Sequence, residues 1–322
     1  MGALKSERDT VVAKNLGGRT LRARFKAMSG YLFIAPAILY LTFVVGYSII
    51  YTIRLSFFEF SYGTRIPSFV GFKHYVKLLS DQDIWSSARV TLVFTVAAVV
   101  LHLLVGGLFA LLLNERWFSV QLRNGIRGLL ILPWLFSFAA AALVWGLLFH
   151  PFGVLNYFAR VLGITDGAVE FLGRAQLALP SLIVVNIWKT FPFYMVMILG
   201  GLQSIPTELY EAAKVDGASP LQRFWRITLP LVRPVLVAIT SLDIITTFGH
   251  YDLVKTLTEG GPFGTTRTLA YYIWLTGFQD GNFGYGAAAS VVLLACLSGA
   301  TLLYLRLFAQ KEELYGETTT GI

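Results

Sequence analysis

The sequence predicts an all-α membrane protein with six transmembrane helices. Three observations carry that reading. First, 56% of the 322 residues are hydrophobic and 14% are charged, against about 25% charged in soluble domains. Second, six separate segments are apolar over the length of about 20 residues that a spanning helix needs. Third, the Lys and Arg residues that give a net charge of +8 gather between alternate segments, as positive-inside loops do. This composition excludes a disordered chain, a coiled coil and a collagen-like fibre, and it leaves no place for a nucleic-acid partner. The single cysteine, Cys296, excludes an intrachain disulfide and a cysteine-based metal site.

The spans follow in order. Tyr31 to Ile53 carries no charge, and Ala35-Pro36-Ala37 lies near its start, so it reads as a retained helix and not a cleaved signal. Val90 to Leu113 contains only His102, expected to be a packed helix-contact residue. Gly128 to Phe149 is uncharged. Leu177 to Leu202 contains Asn186 and Lys189. Leu231 to Gly249 contains Arg233 near one end and Asp243 inside, and Ala287 to Leu305 completes the set. Their length and their Leu, Phe, Val and Ala content fit helices, not barrel strands.

With the N-terminus inside, the inner segments hold sixteen of the 26 basic residues and the outer segments nine. Residues 1–28 form a basic cytoplasmic segment with Lys5, Arg8, Lys14, Arg19, Arg22, Arg24 and Lys26. Residues 309–322 form a cytoplasmic tail. Both termini are therefore expected in the cytoplasm.

The loop between the fourth and fifth spans, residues 204–230, has legible local physics. Thr207 is expected to cap a short helix whose first turns carry Glu208 and Glu211. Gly217 is expected to end it in a left-handed cap. Ser219, Pro220 and Gln222 form a capping box for a second short helix. Two short helices joined at an Asp-Gly turn make a rigid knob.

Along this loop Glu211-Ala212-Ala213, Asp216-Gly217-Ala218, Ile227 and Leu229-Pro230 resemble the EAA loop of permease subunits of binding-protein-dependent ABC importers. The C-terminal half is similar to the carbohydrate branch of that family, on Tyr251-Asp252-Leu253-Val254, Leu257-Thr258-Glu259-Gly260-Gly261-Pro262, Thr268-Leu269, Tyr271-Tyr272 and Gly284-Tyr285-Gly286-Ala287-Ala288-Ala289-Ser290. The resemblance runs from about Tyr31 to Phe308 and makes 29–308 one permease domain of the type I importer fold.

The resemblance implies a sugar or sugar derivative carried by alternating access across a prokaryotic inner membrane. It implies partners as well: two ATPase subunits, a second and different permease, an extracytoplasmic solute-binding protein, and membrane lipid. Glu211, Ala212, Ala213, Asp216, Gly217 and Ala218 would dock on an ATPase subunit. No Gly-x-x-x-x-Gly-Lys-Ser/Thr loop occurs in the sequence. The chain is therefore expected to be no enzyme and to hold no cofactor, with ATP and Mg bound by its partners. The four histidines show no metal-ligand spacing.

Ionisable groups inside a bilayer are functional candidates. Lys189 and Asp243 could pair with each other, bind substrate, or both. Asn186, Lys189 and Thr190 share one helical face, and Asp243, Thr247 and His250 share another. By the resemblance these six fall where sugar permeases bind substrate, and Trp134 and Phe138 fall near such positions. Within the class, glycerol phosphate or another polar solute is the alternative cargo. Outside it, an ion-coupled secondary transporter with Lys189 and Asp243 as relay leaves the EAA loop without a role.

Overall fold

The computed structural model describes residues 33–60, 67–115 and 119–308. The basic N-terminal segment, Arg65 and the C-terminal tail lie outside the described residues. The first span, α1 (Phe33–Leu55), is a unit by itself. Its hydroxyls bond back one turn, Ser48 to the Val44 carbonyl and Thr52 to the Ser48 carbonyl, both at 2.8 Å. That leaves no unsatisfied donor on either side chain in an apolar setting.

The second unit, from Ser56 onward, opens with a two-residue antiparallel pair, β1 (Phe58–Glu59) with β2 (Ser68–Phe69). Helices α2 (Lys73–Ser80) and α3 (Gln82–Asn114) follow. Asp81 caps α3, accepting from the Asp83 amide at 2.9 Å. Burial would raise the Asp81 carboxyl, but the hydroxyls of Tyr272 and Tyr285 and the amides of Asp83 and Ile84 outweigh it and hold it below its ordinary value. The Asp83–Arg267 ion pair ties the same end of α3 to the 258–268 loop.

Next come α4 (Val120–Leu135), α5 (Phe138–Phe149), α6 (Val154–Val161) and α7 (Ala175–Gln203). The third apolar segment, expected as one helix over 128–149, is two. Pro133 removes a helical N–H near the end of α4, and Ser137 restarts the chain by accepting the Ala140 amide at 3.1 Å. Among the described residues, six helical stretches are long and apolar enough to cross a membrane: Phe33–Leu55, Gln82–Asn114, Phe138–Val161, Ala175–Gln203, Pro220–Phe248 and Phe283–Phe308.

The loop after α7 holds α8 (Thr207–Val215). Its N-cap is Pro206; Thr207 is the first helical residue and caps nothing, which corrects the sequence expectation. Gly217 takes φ +75° as expected, and the Ala218 amide reaches the Ala213 carbonyl at 2.8 Å. The capping box also forms, with the Ser219 amide on Gln222 Oε1 at 2.8 Å and the Gln222 amide on Ser219 Oγ at 3.3 Å. The helix it opens is not short. α9 (Pro220–Arg223) runs through a π-helical turn, Phe224–Thr228, into α10 (Leu229–Phe248). The wider turn suits Pro230, which has no N–H to give. The chain ends with α11 (Asp252–Leu257), α12 (Leu269–Trp274), a second π turn over Leu275–Gln279, and α13 (Phe283–Phe308).

Helix α7 is the centre of this unit. One apolar cluster gathers Phe94, Ala141, Leu182, Val185, Leu253 and Leu257; another gathers Ala110, Tyr194, Ile198, Leu202, Val232 and Ile239. The contact between α3 and α7 is close because Gly106 has no side chain. A Cβ there would stand 2.4 Å from Tyr194 Cβ and 2.9 Å from the Phe191 carbonyl oxygen. At Gly107 the nearest foreign atom is Ile198 Cδ1 at 3.9 Å.

Gly106→Ala must therefore push two backbones apart, at about 1–3 kcal/mol. It should lower the thermal melting point of the purified protein, while Gly107→Ala leaves it close to wild type. Equal effects from both substitutions would contradict close packing at Gly106.

Candidate functional site

Between the two apolar clusters, halfway along α7, the bundle turns polar. Asp243 of α10 is 3% exposed and accepts from three helices. His102 Nδ1 of α3 donates to Oδ2 at 2.8 Å, and the Tyr194 hydroxyl of α7 donates to the same oxygen at 2.9 Å. Thr247, one turn on, donates to Oδ1 at 2.8 Å. A buried carboxylate is tolerated in hydrocarbon when its lone pairs are filled in this way. His102 is buried as a contact residue should be, and it is also Asp243's partner.

Lys189 is not that partner. Among the described residues it makes no ion pair; its Nζ rests 4.1 Å from the centroid of the Phe138 ring. Such a contact is worth roughly 0.5–2 kcal/mol, depending on desolvation. The His250 ring packs against the same phenyl group in a tilted contact, centroids 4.1 Å apart. Burial pushes the His250 imidazole down to about 4, against the opposite pull of Asp243, so this side chain is neutral near pH 7.

These groups enclose a cavity of ≈ 240 Å³. Six of the eight substrate candidates read from the sequence line it: Trp134, Phe138, Lys189, Thr190, Asp243 and His250. The other two stand behind the wall. Asn186 accepts from the Thr190 hydroxyl at 3.2 Å, and Thr247 holds Asp243. Trp134 is half exposed and packs on Phe193, centroids 5.9 Å apart. Sequence reasoning missed Phe193, Leu242 and Thr246 in the wall, and Tyr194 behind it. Tyr194 carried no signal of its own. His102 did, as an ionisable group alone on a span.

The second candidate site is the loop. Glu211, Ala212, Asp216 and Gly217 are exposed, Ala213 and Ala218 are half-buried, and no residue of α8 is buried. Val215 is 88% exposed, with Leu221 and Trp225 also in the open. The Tyr210 hydroxyl meets Thr228 Oγ1 at 2.9 Å and fixes α8 to the base of α10. The loop thus presents acidic, small and apolar groups on a braced scaffold.

A multi-span helical bundle with a polar mid-span cavity and a braced exterior loop on the same two helices defines a solute permease. The sequence pattern of the family described as "Binding-protein-dependent transport system inner membrane component" matches residues 102–311. The chain belongs to this family and is a multi-pass inner-membrane transport subunit.

Its curated relatives include the trehalose/maltose transport system permease protein of Thermococcus litoralis, 34% identical over 284 residues, 87% of this chain and 94% of that one. The sulfoquinovosyl glycerol transport system permease protein of Agrobacterium fabrum is 36% identical, covering 87% and 90%. The diacetylchitobiose uptake system permease protein of Streptomyces coelicolor is 33% identical, covering 92% of each. Among solved structures, the fold matches a bacterial ABC transporter involved in the import of the acidic polysaccharide alginate, with TM-score 0.75 and 23% identity over 87% of this chain and 94% of that one.

The geometry predicts which pairs are coupled. His102→Ala and Asp243→Ala should each destabilise the protein, since each strands a buried polar partner. Combined, they should cost little more than one alone. Lys189→Ala with Asp243→Ala should lie much nearer to additive. Thermal unfolding of the detergent-solubilised variants checks this, and stronger coupling for the Lys189 pair would contradict the geometry.

Proposed function

We propose that this chain is the permease subunit through which an ATP-driven importer moves a sugar or sugar derivative by alternating access. The observation that carries it is that cavity and loop share α7 and α10. Lys189 and Asp243 sit on the two helices that bracket α8, and Lys189 stands fourteen residues before the end of α7 at Gln203. At 1.5 Å per residue that is about 20 Å of helix between the cavity and the loop. A push on the loop reaches the cavity through rigid elements.

The sugar assignment is supported by the named cargoes of three relatives and by the cavity wall. Trp134, Phe138 and Phe193 offer flat faces to sugar C–H groups, while the hydroxyl oxygens of Thr190 and Thr246 offer acceptors. Glu211, Ala212, Ala213, Asp216, Gly217 and Ala218 form the docking surface for an ATPase subunit. ATP and Mg are bound there, outside this chain. A second, different permease and an extracytoplasmic solute-binding protein complete the assembly.

Reconstitution with these partners tests the coupling role. Proline cannot adopt the positive φ of Gly217, and Glu211→Lys inverts the loop's charge. Gly217→Pro and Glu211→Lys should each insert and assemble, yet lose most substrate-stimulated ATP hydrolysis and uptake. Normal coupling in both would overturn the loop's role, and uptake driven by a proton gradient without ATP would overturn the importer reading itself.

The charge distribution supports a cytoplasmic location for both termini. In a Cys296→Ala background, a cysteine at Thr10 or Thr320 should resist an impermeant thiol reagent added to intact cells, and one at Thr265 should label. Labelling at either terminus would reverse the topology.

A further inference from the structure

We propose that the mid-span cavity takes a sugar bearing one anionic group, a carboxylate, sulfonate or phosphate, and that Lys189 receives that group. The proposal rests on the sugar-permease reading above and narrows it.

The argument is a balance of donors and acceptors. The acceptor of greatest strength, the Asp243 carboxylate, already takes three hydrogen bonds, from His102, Tyr194 and Thr247. The hydroxyl protons of the cavity threonines are spent as well. Thr190 donates to Asn186, and Thr246 is within bonding distance of the carbonyls of Leu242 and Asp243. Unspent donors remain. Lys189 is 9% exposed, lines the cavity and makes no ion pair among the described residues. One turn away, behind the wall, the fully buried Asn186 amide nitrogen also has no hydrogen-bond partner, but it does not line the cavity.

A site for a neutral sugar needs strong acceptors, because each sugar hydroxyl has a proton to place. Here the carboxylate's accepting sites are largely taken and an ammonium is presented. The phenyl face of Phe138 supports that ammonium but cannot neutralise it. Nor does His250 compete for an anion, since its imidazole is neutral near pH 7. Asp243 keeps its charge but already takes hydrogen bonds from three side chains, whereas Lys189 has no ion-pair partner among the described residues. A largely buried ammonium without an ion-pair partner favours an anion over an equally shaped neutral group.

The test measures equilibrium binding to the purified complex of this chain with its partner subunits. The probes are matched radiolabelled methyl hexosides in gluco and galacto configuration. Each is neutral at C6 or carries a C6 carboxylate, sulfonate or phosphate, so the arms separate the anion types. The expected result is at least tenfold tighter binding of one anionic member than of its neutral counterpart. Lys189→Met should abolish that preference, and Lys189→Arg should keep it. Met removes a buried charge and fills similar space, so the melting point should hold or rise.

Preference for the neutral hexosides in the wild type would overturn the proposal and leave the sugar reading standing. So would an anion preference that survives Lys189→Met. A Lys189→Met variant that melts lower and weakens both classes alike would make the lysine structural and also overturn it. Binding of no hexoside of either class would overturn the sugar reading, and this proposal with it.

Discussion

The Asp243 carboxylate is the constraint on which this bundle depends. A charged group at mid-span is stable only if its acceptors are filled, and no single helix can fill them. The donors come from α3, α7 and α10, so satisfying one side chain fixes three helices in rotation and height. Gly106 is part of the same solution. It lies one turn beyond His102 on α3 and leaves room for the Tyr194 backbone. A larger residue would move the phenol away from the carboxylate. The polar node and the close helix contact therefore require each other. Apolar clusters pack on either side of the node.

That constraint explains what the sequence made legible. Span number came directly from hydropathy, because bilayer thickness fixes helix length. The left-handed turn at Gly217 and the Ser219–Gln222 box were legible because they are local: each is decided within four residues. The misreadings have equally local causes. Pro206 precedes Thr207 and took the cap position. The long apolar run over 128–149 masked Pro133 and Ser137, whose chemistry breaks it. Pro230 gave notice of an irregular turn, yet the helix passed through it by widening. The wrong choice open at Lys189 was of another kind. Sequence shows which residues are charged and which face they share, but not which neighbouring helix that face meets. His102, on a span 141 residues away from Asp243 in sequence, could be paired with it only in three dimensions.

The same arrangement gives the cavity its asymmetry. One wall holds a carboxylate turned into the protein, and the other an ammonium resting on an aromatic ring. The aromatic residues sit on both sides of the break between α4 and α5, Trp134 before it and Phe138 after it. The interruption that hydropathy concealed is therefore a structural element of the site.

A transport site differs from a receptor site in one respect that bears on Lys189. Affinity must be sufficient to accept a ligand and low enough to release it once the helices move. A naked buried ammonium would hold an anion too firmly, because the empty state would strand the charge. Phe138 changes that balance. With its Nζ 4.1 Å from the ring centroid, Lys189 already has a favourable position in the empty cavity, so ligand and ring exchange as partners of one cation. The difference in free energy between loaded and empty states would shrink, while an anion would still compete best with the ring. Coupling then needs to supply only a modest displacement. Because α7 carries the lysine and α10 carries the carboxylate behind it, a relative shift of these two helices would alter ligand, ring and ammonium together. The loop that joins them, residues 204–230, is continuous with both helices, so a force applied to it would act on both at once.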